Sequence, residues 1–255
     1  MSATEPTDPG THGGDPRANA ILAALPPAEL ARLRALGEVQ ELDVRASVYE
    51  PGGAITDVYF PLDAVFSMVA VLQDESSVEV GTIGFEGMVG LPAFLGSTSS
   101  PHAAYCQVPG RALRVGLPEL RDVLTDDGAL HDQLHQYVSA TMVQLAQNVA
   151  CNTGHQVEQR ICRWLLTTHD RVRRPDFPLT QEFLAQMLGA RRPTVSELAG
   201  RLQQRGLISY SRGQMTILDR AGLEACTCEC YWTIRRTFPG IADAATDPHD
   251  ASSPA

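Results

Sequence analysis

Apolar positions change period three times along the chain. Over residues 16–36 they recur at helical spacing (Ile21, Leu22, Leu25, Leu30, Leu33, Leu36), interrupted by Pro26-Pro27. That pattern predicts two short helices, with Pro27 near the start of the second. From Val39 the period shortens. Runs rich in β-branched and aromatic residues at 44–49, 57–61, 64–72, 77–83, 105–108 and 112–116 are separated by Gly, Pro or Asp, and glycines at 81, 84, 87, 90 and 96 punctuate the middle. Many short strands at this spacing predict an antiparallel barrel or roll. Near Thr125 the helical period returns for about seven turns, as Leu130, Leu134, Val138, Thr141, Leu145, Asn148/Val149 and Asn152 repeat every three or four residues. Asp126 and Asp127 stand at its start, where the helix dipole favours acid. Such a seam predicts pairing with a second copy; packing on the chain's own roll is the alternative.

The densest pattern begins at Leu179 and reads Leu-Thr-Gln-Glu-Phe-Leu-Ala-Gln-Met-Leu-Gly-Ala-Arg-Arg-Pro-Thr-Val-Ser-Glu-Leu-Ala-Gly-Arg-Leu. Thr180 is a good N-cap, and Gly189 supplies the left-handed residue that ends the first helix after Leu188. Ala185 is small where two crossing helices approach. Pro193 falls in the first turn of a second helix, where its missing N–H costs nothing. Val195, Leu198 and Leu202 give that helix a buried stripe. Each position has its own steric reason, and together they form a helix-turn-helix. Off the stripe lie Arg192, Thr194, Ser196, Glu197 and Arg201. Arg192 suits a guanine edge and Glu197 a cytosine amino group, while Arg191, Thr194 and Arg201 suit phosphates; Thr180 and Ser196 complete the candidate DNA-binding set. After Gly206, Leu207-Ile-Ser-Tyr and Gln214-Met-Thr-Ile-Leu flank Ser211-Arg212-Gly213, a hairpin with a basic tip, hence a wing that lays Arg212 along a phosphate strand.

Charge supports the same division. The chain of 255 residues has a formal net charge of −10 and no lysine, but residues 1–150 carry −12, residues 151–240 carry +5, and the last 15 carry −3. An acidic front half joined to a basic rear half suits a sensor coupled to a DNA-binding unit. No run of 18 apolar residues exists, which speaks against a membrane partner. The opening residues have neither an apolar stretch nor a basic leader and read as a disordered polar tail, as does the Ala/Asp/Ser/Pro-rich end. Six cysteines without an export signal predict reduced thiols and a cytoplasmic protein.

In this order the elements resemble the Crp/Fnr family of bacterial regulators over roughly residues 18–225. Gly84-Phe-Glu-Gly-Met-Val-Gly-Leu-Pro and the stretch from Leu179-Thr to Leu207-Ile carry the resemblance. It implies an α+β fold: an N-terminal double-stranded β-helix, jelly-roll-like, as sensor (18–124), a dimerisation helix (125–153) and a C-terminal winged helix-turn-helix (154–238), between disordered tails 1–17 and 239–255. It also implies a homodimer on a two-fold symmetric site in double-stranded DNA, and RNA polymerase as a further partner if the protein activates. Nucleotide-binding members place Gly-Glu after a strand, an Arg on the next turn and a hydroxyl pair on the dimer helix. Here Gly90 is followed by Leu91, His102 is the one basic residue between Gly96 and Gln107, and Leu145-Ala146 replaces the hydroxyls. Gly90, Leu91, His102 and Leu145 therefore mark a candidate pocket without the cyclic-AMP contacts, and the effector is unknown or absent. A cyclic-nucleotide-like ligand in a remodelled pocket is the alternative.

Other chemistry finds little support. A metal-dependent enzyme on the roll needs clustered ligands, and His102 is the only histidine within 37–120. No nucleophile–base set or phosphate loop appears, so no enzyme and no cofactor are expected. An iron–sulfur sensor needs cysteines near the N-terminus, and the first 105 residues hold none. Cys226, Cys228 and Cys230 lack a CxxC pair, and Cys226 and Cys230 read as small apolar residues on one helical face with Leu223 and Ile234. No metal site is expected.

Overall fold

The computed structural model describes residues 14–74, 76–124, 128–238 and 240–241. Asp126, Asp127 and most of both expected tails lie outside the described residues. The inner ends of those tails are folded. Asp15 caps a short 3-10 turn, Pro16–Ala18, and Ile241 is buried.

The first helices are α1 (Ala20–Ala23), capped by the Asn19 side chain, and α2 (Pro27–Leu36), which opens on Pro27 as expected. Leu36, expected on the apolar face, is 40 % exposed at the end of α2. Two antiparallel sheets follow. One orders β1 (Gly37–Leu42), β7 (Gly110–Gly116) and β3 (Asp57–Pro61); the other orders β2 (Ser47–Tyr49), β6 (Ala103–Val108), β4 (Val65–Val71) and β5 (Ser77–Ile83). β1 was not expected. Its sequence Gly-Glu-Val-Gln-Glu-Leu buries only Leu42 fully, as suits a sheet edge. Phe66 of β4 sits opposite Ile83 of β5 and Cys106 of β6, which fixes the register of the larger sheet.

β4 explains how the molecule is layered. Phe66 faces the roll interior with Phe60, Leu113 and Met88, whereas Val65 and Val69 face a second core with Trp164, Phe177 and Leu202. Successive side chains on a strand point to opposite faces, so one strand serves both cores. The outer face is covered by α6 (Val157–Val172), a helix not among the expected elements. The short α3 (Leu91–Phe94) follows the Gly84 to Gly90 loop, and α4 (Leu117–Val123) closes the roll.

α5 (Ala129–Gly154) is the long helix. Its expected seam divides into two faces. Leu130, Leu134, Tyr137, Ala140, Gln144, Asn148 and Cys151 are buried against the chain itself. Val138, Met142, Leu145 and Val149 form a separate stripe at 4-3-4 spacing, with Met142 66 % and Val149 69 % exposed. The apolar pattern merged these stripes because α5 is apolar over more than one face.

The C-terminal unit comprises β8 (Asp176–Pro178), α7 (Gln181–Met187), α8 (Arg192–Gln204), the hairpin β9 (Ile208–Ser211) and β10 (Gln214–Ile217), α9 (Arg220–Cys226) and α10 (Glu229–Thr237). β8 pairs with β10, giving the wing a third strand. α10 runs back onto α5, and Ile234 and Phe238 join the roll core. Cys226 and Cys230 therefore do not share one helix. Cys226 ends α9 half-buried, with its sulfur accepting from Arg205, while Cys230 lies fully buried on α10.

Candidate nucleic-acid interface and sensor cavity

The helix-turn-helix forms as its sequence requires. Thr180 Oγ1 accepts from Phe183 N at 3.1 Å, closing the N-terminus of α7. Gly189 adopts φ +55° between α7 and α8, a region where a side chain is strained. Ala185 is 5 % exposed where the two helices cross. α8 buries Val195, Leu198, Ala199 and Leu202, which leaves the opposite face in solvent.

That face carries most of the candidate DNA-binding residues. Arg191 caps α8, Arg192 is its first residue, and both are exposed with Thr194 and Glu197. Backbone N–H groups at the start of a helix are without intrahelical partners, so this end presents positive potential as well as two guanidinium groups. Thr180 is exposed, with its hydroxyl already serving as the cap. Ser196 is half-buried, and its hydroxyl donates to Gln181 Oε1 at 2.6 Å, so it ties α8 to α7. Arg201 faces Glu158 of α6 at 3.3 Å with its side chain 53 % exposed. An exposed pair of this kind contributes about 0–1 kcal/mol, so a phosphate could take Arg201 over at little cost. Arg212 is exposed at the wing tip, where Arg212 and Gly213 adopt φ 52° and 78°, as in the two-residue turns that join twisted strands. Tyr210 N donates to Gln203 Oε1 at 2.9 Å, fastening the wing to the end of α8.

Gly90, Leu91, His102 and Leu145 line a single cavity of about 230 Å³ between the roll and α5. Gly90 has φ +106°, and a Cβ there would meet Tyr49 Oη at 2.5 Å, so the chain passes only as glycine. Met68, Ile83 and Leu95 add apolar walls, and among the described residues no Arg, Asp or Glu lines the cavity. Burial lowers the pKa of His102, which favours the neutral ring. A phosphate here would lack the guanidinium that normally binds it.

Between roll and C-terminal unit runs a buried polar network that the sequence did not disclose. Glu86 Oε1 accepts from Arg171 Nε at 2.7 Å, with both side chains at most 2 % exposed. Glu79 accepts from Ser67 (2.7 Å), Thr82 (2.6 Å) and Trp164 Nε1 (3.2 Å), while Gln107 donates to Thr168 at 3.0 Å. Complete burial raises the pKa of Glu79, although these three donors and Arg163 favour its ionised form. Glu86 lies within the Gly84-Phe-Glu-Gly motif, the one sequence signal that could have led to this joint.

Residues 159–226 match the family model of the Crp-like helix-turn-helix domain. The transcriptional regulatory protein btr of Bordetella pertussis is 26 % identical over 204 residues, covering 73 % of this chain and 84 % of that protein. Among solved structures, FixK2 from Bradyrhizobium japonicum superposes with a TM-score of 0.65 at 15 % identity, over 75 % of this chain and 98 % of that one. The c-di-GMP-responsive global regulator CLP of Xanthomonas campestris gives a TM-score of 0.60 at 16 % identity, over 75 % and 99 %. Both structures share the roll, long helix and C-terminal helix-turn-helix as a fold. Among the described residues no helix is long and apolar enough to cross a membrane. With a Crp-like helix-turn-helix domain over residues 159–226, a transcriptional regulator as relative, and a fold shared with such regulators over about three quarters of its length, the chain is similar to the Crp/Fnr transcriptional regulators and carries their DNA-binding domain.

Proposed function

We propose that the protein acts as a homodimer on two-fold symmetric DNA, inserting the N-terminal half of α8 from each protomer into successive major grooves. Arg192 and Glu197 read base edges. Arg191, Thr194, Arg201 and the wing residue Arg212 hold phosphates, and Thr180 and Ser196 fix the approach of the two helices. The carrying observation is the exposed cluster of Arg191, Arg192, Thr194 and Glu197 on a helix whose other face is sealed by Val195, Leu198 and Leu202. The second copy occupies the Val138, Met142, Leu145, Val149 stripe of α5, a reading supported by the exposed apolar side chains there. Residues 18–124 act as sensor, 125–153 as dimerisation helix and 154–238 as DNA-binding unit, in a cytoplasmic regulator that carries out no catalysis itself and engages RNA polymerase where it activates.

The cavity suits an uncharged, largely apolar effector if it takes one, because its walls supply no cation for a cyclic phosphate. Selection of bound sites from random DNA, with purified protein, defined salt and no added small molecule, tests the reading. A two-fold symmetric consensus supports it. No enrichment, repeated in the presence of cell extract, overturns it.

A further inference from the structure

At the joint between the end of α5 and the start of α10, four side chains bring one ligand atom each into a single small volume. These are Cys151, His155, Cys228 and Cys230, and the four atoms all lie within 4.8 Å of one another. Cys151 Sγ is 3.6 Å from Cys228 Sγ, and Cys230 Sγ is 3.5 Å from His155 Nδ1. Zinc bonds of about 2.3 Å to sulfur and about 2.0–2.1 Å to nitrogen, set at tetrahedral angles, separate two sulfurs by about 3.8 Å and a sulfur from a nitrogen by about 3.5 Å. Both observed edges match a tetrahedron of that size. We propose that Cys151, His155, Cys228 and Cys230 form a closed Cys3His site for a thiolate-preferring divalent cation of the Zn2+ class.

Three further observations support a ligand set over buried thiols that merely fill space. The three cysteines are almost fully buried, yet they form a small cluster of their own, separate from both hydrophobic cores. Small apolar filler would be expected to merge with one core or the other. Secondly, the imidazole is held from behind, with His155 Nε2 at 3.2 Å from Glu229 Oε1. That contact leaves Nδ1 facing the sulfurs, the carboxylate–histidine arrangement that orients metal-bound rings. Thirdly, Gln147 Nε2 donates to Cys230 Sγ at 3.1 Å, which fixes the position of that sulfur. Arg163, bonded to Asn148 Oδ1 at 2.7 Å one turn before Cys151, offers a positive charge to offset three thiolates around a dication.

The donor set narrows the ion. Three sulfurs and an imidazole disfavour Mg2+ and Ca2+, which take oxygen ligands. An iron–sulfur cluster would interpose its own iron and sulfide atoms and hold the cysteines farther apart than this cage allows. Four protein ligands leave no open position, so the ion would be structural, clamping the long helix to the last helix of the DNA-binding unit. Sequence spacing hides the site because Cys151-x-x-x-His155 and Cys228-x-Cys230 lie over seventy residues apart. Cys226, which completes the visible Cys-Thr-Cys-Glu-Cys run, is left out, its sulfur accepting from Arg205 at 2.8 Å.

The test uses the full chain, purified under reducing conditions and reconstituted with Zn2+ or Co2+ alone. About one metal ion per chain is expected, with the intense visible bands of tetrahedral Co2+ and a sulfur-to-cobalt charge-transfer band. Cys228→Ser and Cys151→Ser should lose those bands, Cys226→Ser and Cys162→Ser should keep them, and Glu229→Gln should weaken binding about 10–100-fold. Chelation should lower the Tm of the wild type. Should the serine variants fail to fold, the wild-type Co2+ spectrum still decides the coordination. The proposal is overturned if folded wild type takes up no stoichiometric metal, or if it yields a Cys151–Cys228 disulfide after reduction and metal addition. Iron with equimolar sulfide, or equal loss of metal in Cys226→Ser and Cys228→Ser, overturns it as well.

Discussion

Replacing Val149 by Glu tests whether the free stripe on α5 holds two protomers together. Met142 and Val149 are 66 % and 69 % exposed in the single chain, although both are apolar and lie seven residues apart on one face. Full burial of such a side chain stabilises by about 1.5–3 kcal/mol, so covering the remaining two-thirds is worth about 1–2 kcal/mol each. A two-fold dimer covers four of these side chains, about 4–8 kcal/mol in all, or about three to six powers of ten in Kd. Val149→Glu forfeits about 2–4 kcal/mol of this across both protomers and sets two carboxylates near the seam, so dimerisation should weaken by at least about 30-fold. Sedimentation equilibrium over a range of protein concentrations measures it, with Val44→Glu as the control because Val44 is 50 % exposed but outside α5. A wild-type protein that stays monomeric at tens of micromolar would refute the reasoning. Equal association of Val149→Glu and wild type would also refute it.

Other perturbations probe the joint and the DNA face. Glu86→Gln strands the buried Arg171 guanidinium and should cost about 3–5 kcal/mol in denaturant unfolding, whereas removing both partners in Glu86→Leu/Arg171→Met should cost much less; equal losses would show that the pair is not coupled. Arg192→Ala should cost about 1–3 kcal/mol and relax preference at one base pair, while Arg212→Ala should weaken specific and random DNA alike and reduce the salt dependence. Competition binding against random DNA separates them, and an equal loss on both DNAs for Arg192→Ala would remove that residue from base reading. Burial raises the pKa of Glu79, so the folded state holds this proton more tightly than the unfolded chain. Its contribution is therefore present below the ordinary carboxylate pKa and lost as pH rises through the raised value. Urea unfolding between pH 4 and pH 8 should show that decline in the wild type and a flatter profile in Glu79→Gln; parallel profiles would contradict the assignment.

The sequence displayed surface features better than joints. Turn glycines, the Thr180 cap and the stripe Val195, Leu198, Leu202 each have a local cause, and the helix-turn-helix appeared where they placed it. α6 is amphipathic in sequence, with Ile161, Trp164, Leu165 and Val172 at helical spacing, so its period was open to reading. What the sequence could not show is that its charged face is enclosed as well, since Arg160, Arg163 and Arg171 are buried against partners supplied by Leu188, Asn148 and Glu86. The long helix was legible as an element but not as a surface, since Leu134 and Val138 follow one spacing yet meet different neighbours. Cys151 and His155 carried no local signal at all. Their partners come from a helix that follows the entire DNA-binding motif.

Several of these missed contacts, those of Asn148, Cys151 and the exposed stripe, converge on α5, and that convergence bears on how a signal could travel. The 26 residues span about 39 Å as one rigid rod. Val138, Met142 and Leu145 belong both to the cavity wall and to the apolar stripe, so a ligand in the cavity would press on the same side chains that the proposed dimer would cover. One to two turns farther on, Asn148 and Cys151 meet Arg163 and Cys228 of the C-terminal unit. Cavity, proposed subunit contact and DNA-binding unit thus share one element without an intervening flexible segment. Coupling through it requires that the ligand favour one packing of α5 over another, and linkage then makes the effect reciprocal. DNA binding should alter the affinity of any cavity ligand by the same factor by which that ligand alters DNA binding, and a ligand that binds equally tightly with and without DNA would be an occupant of the cavity but not its signal.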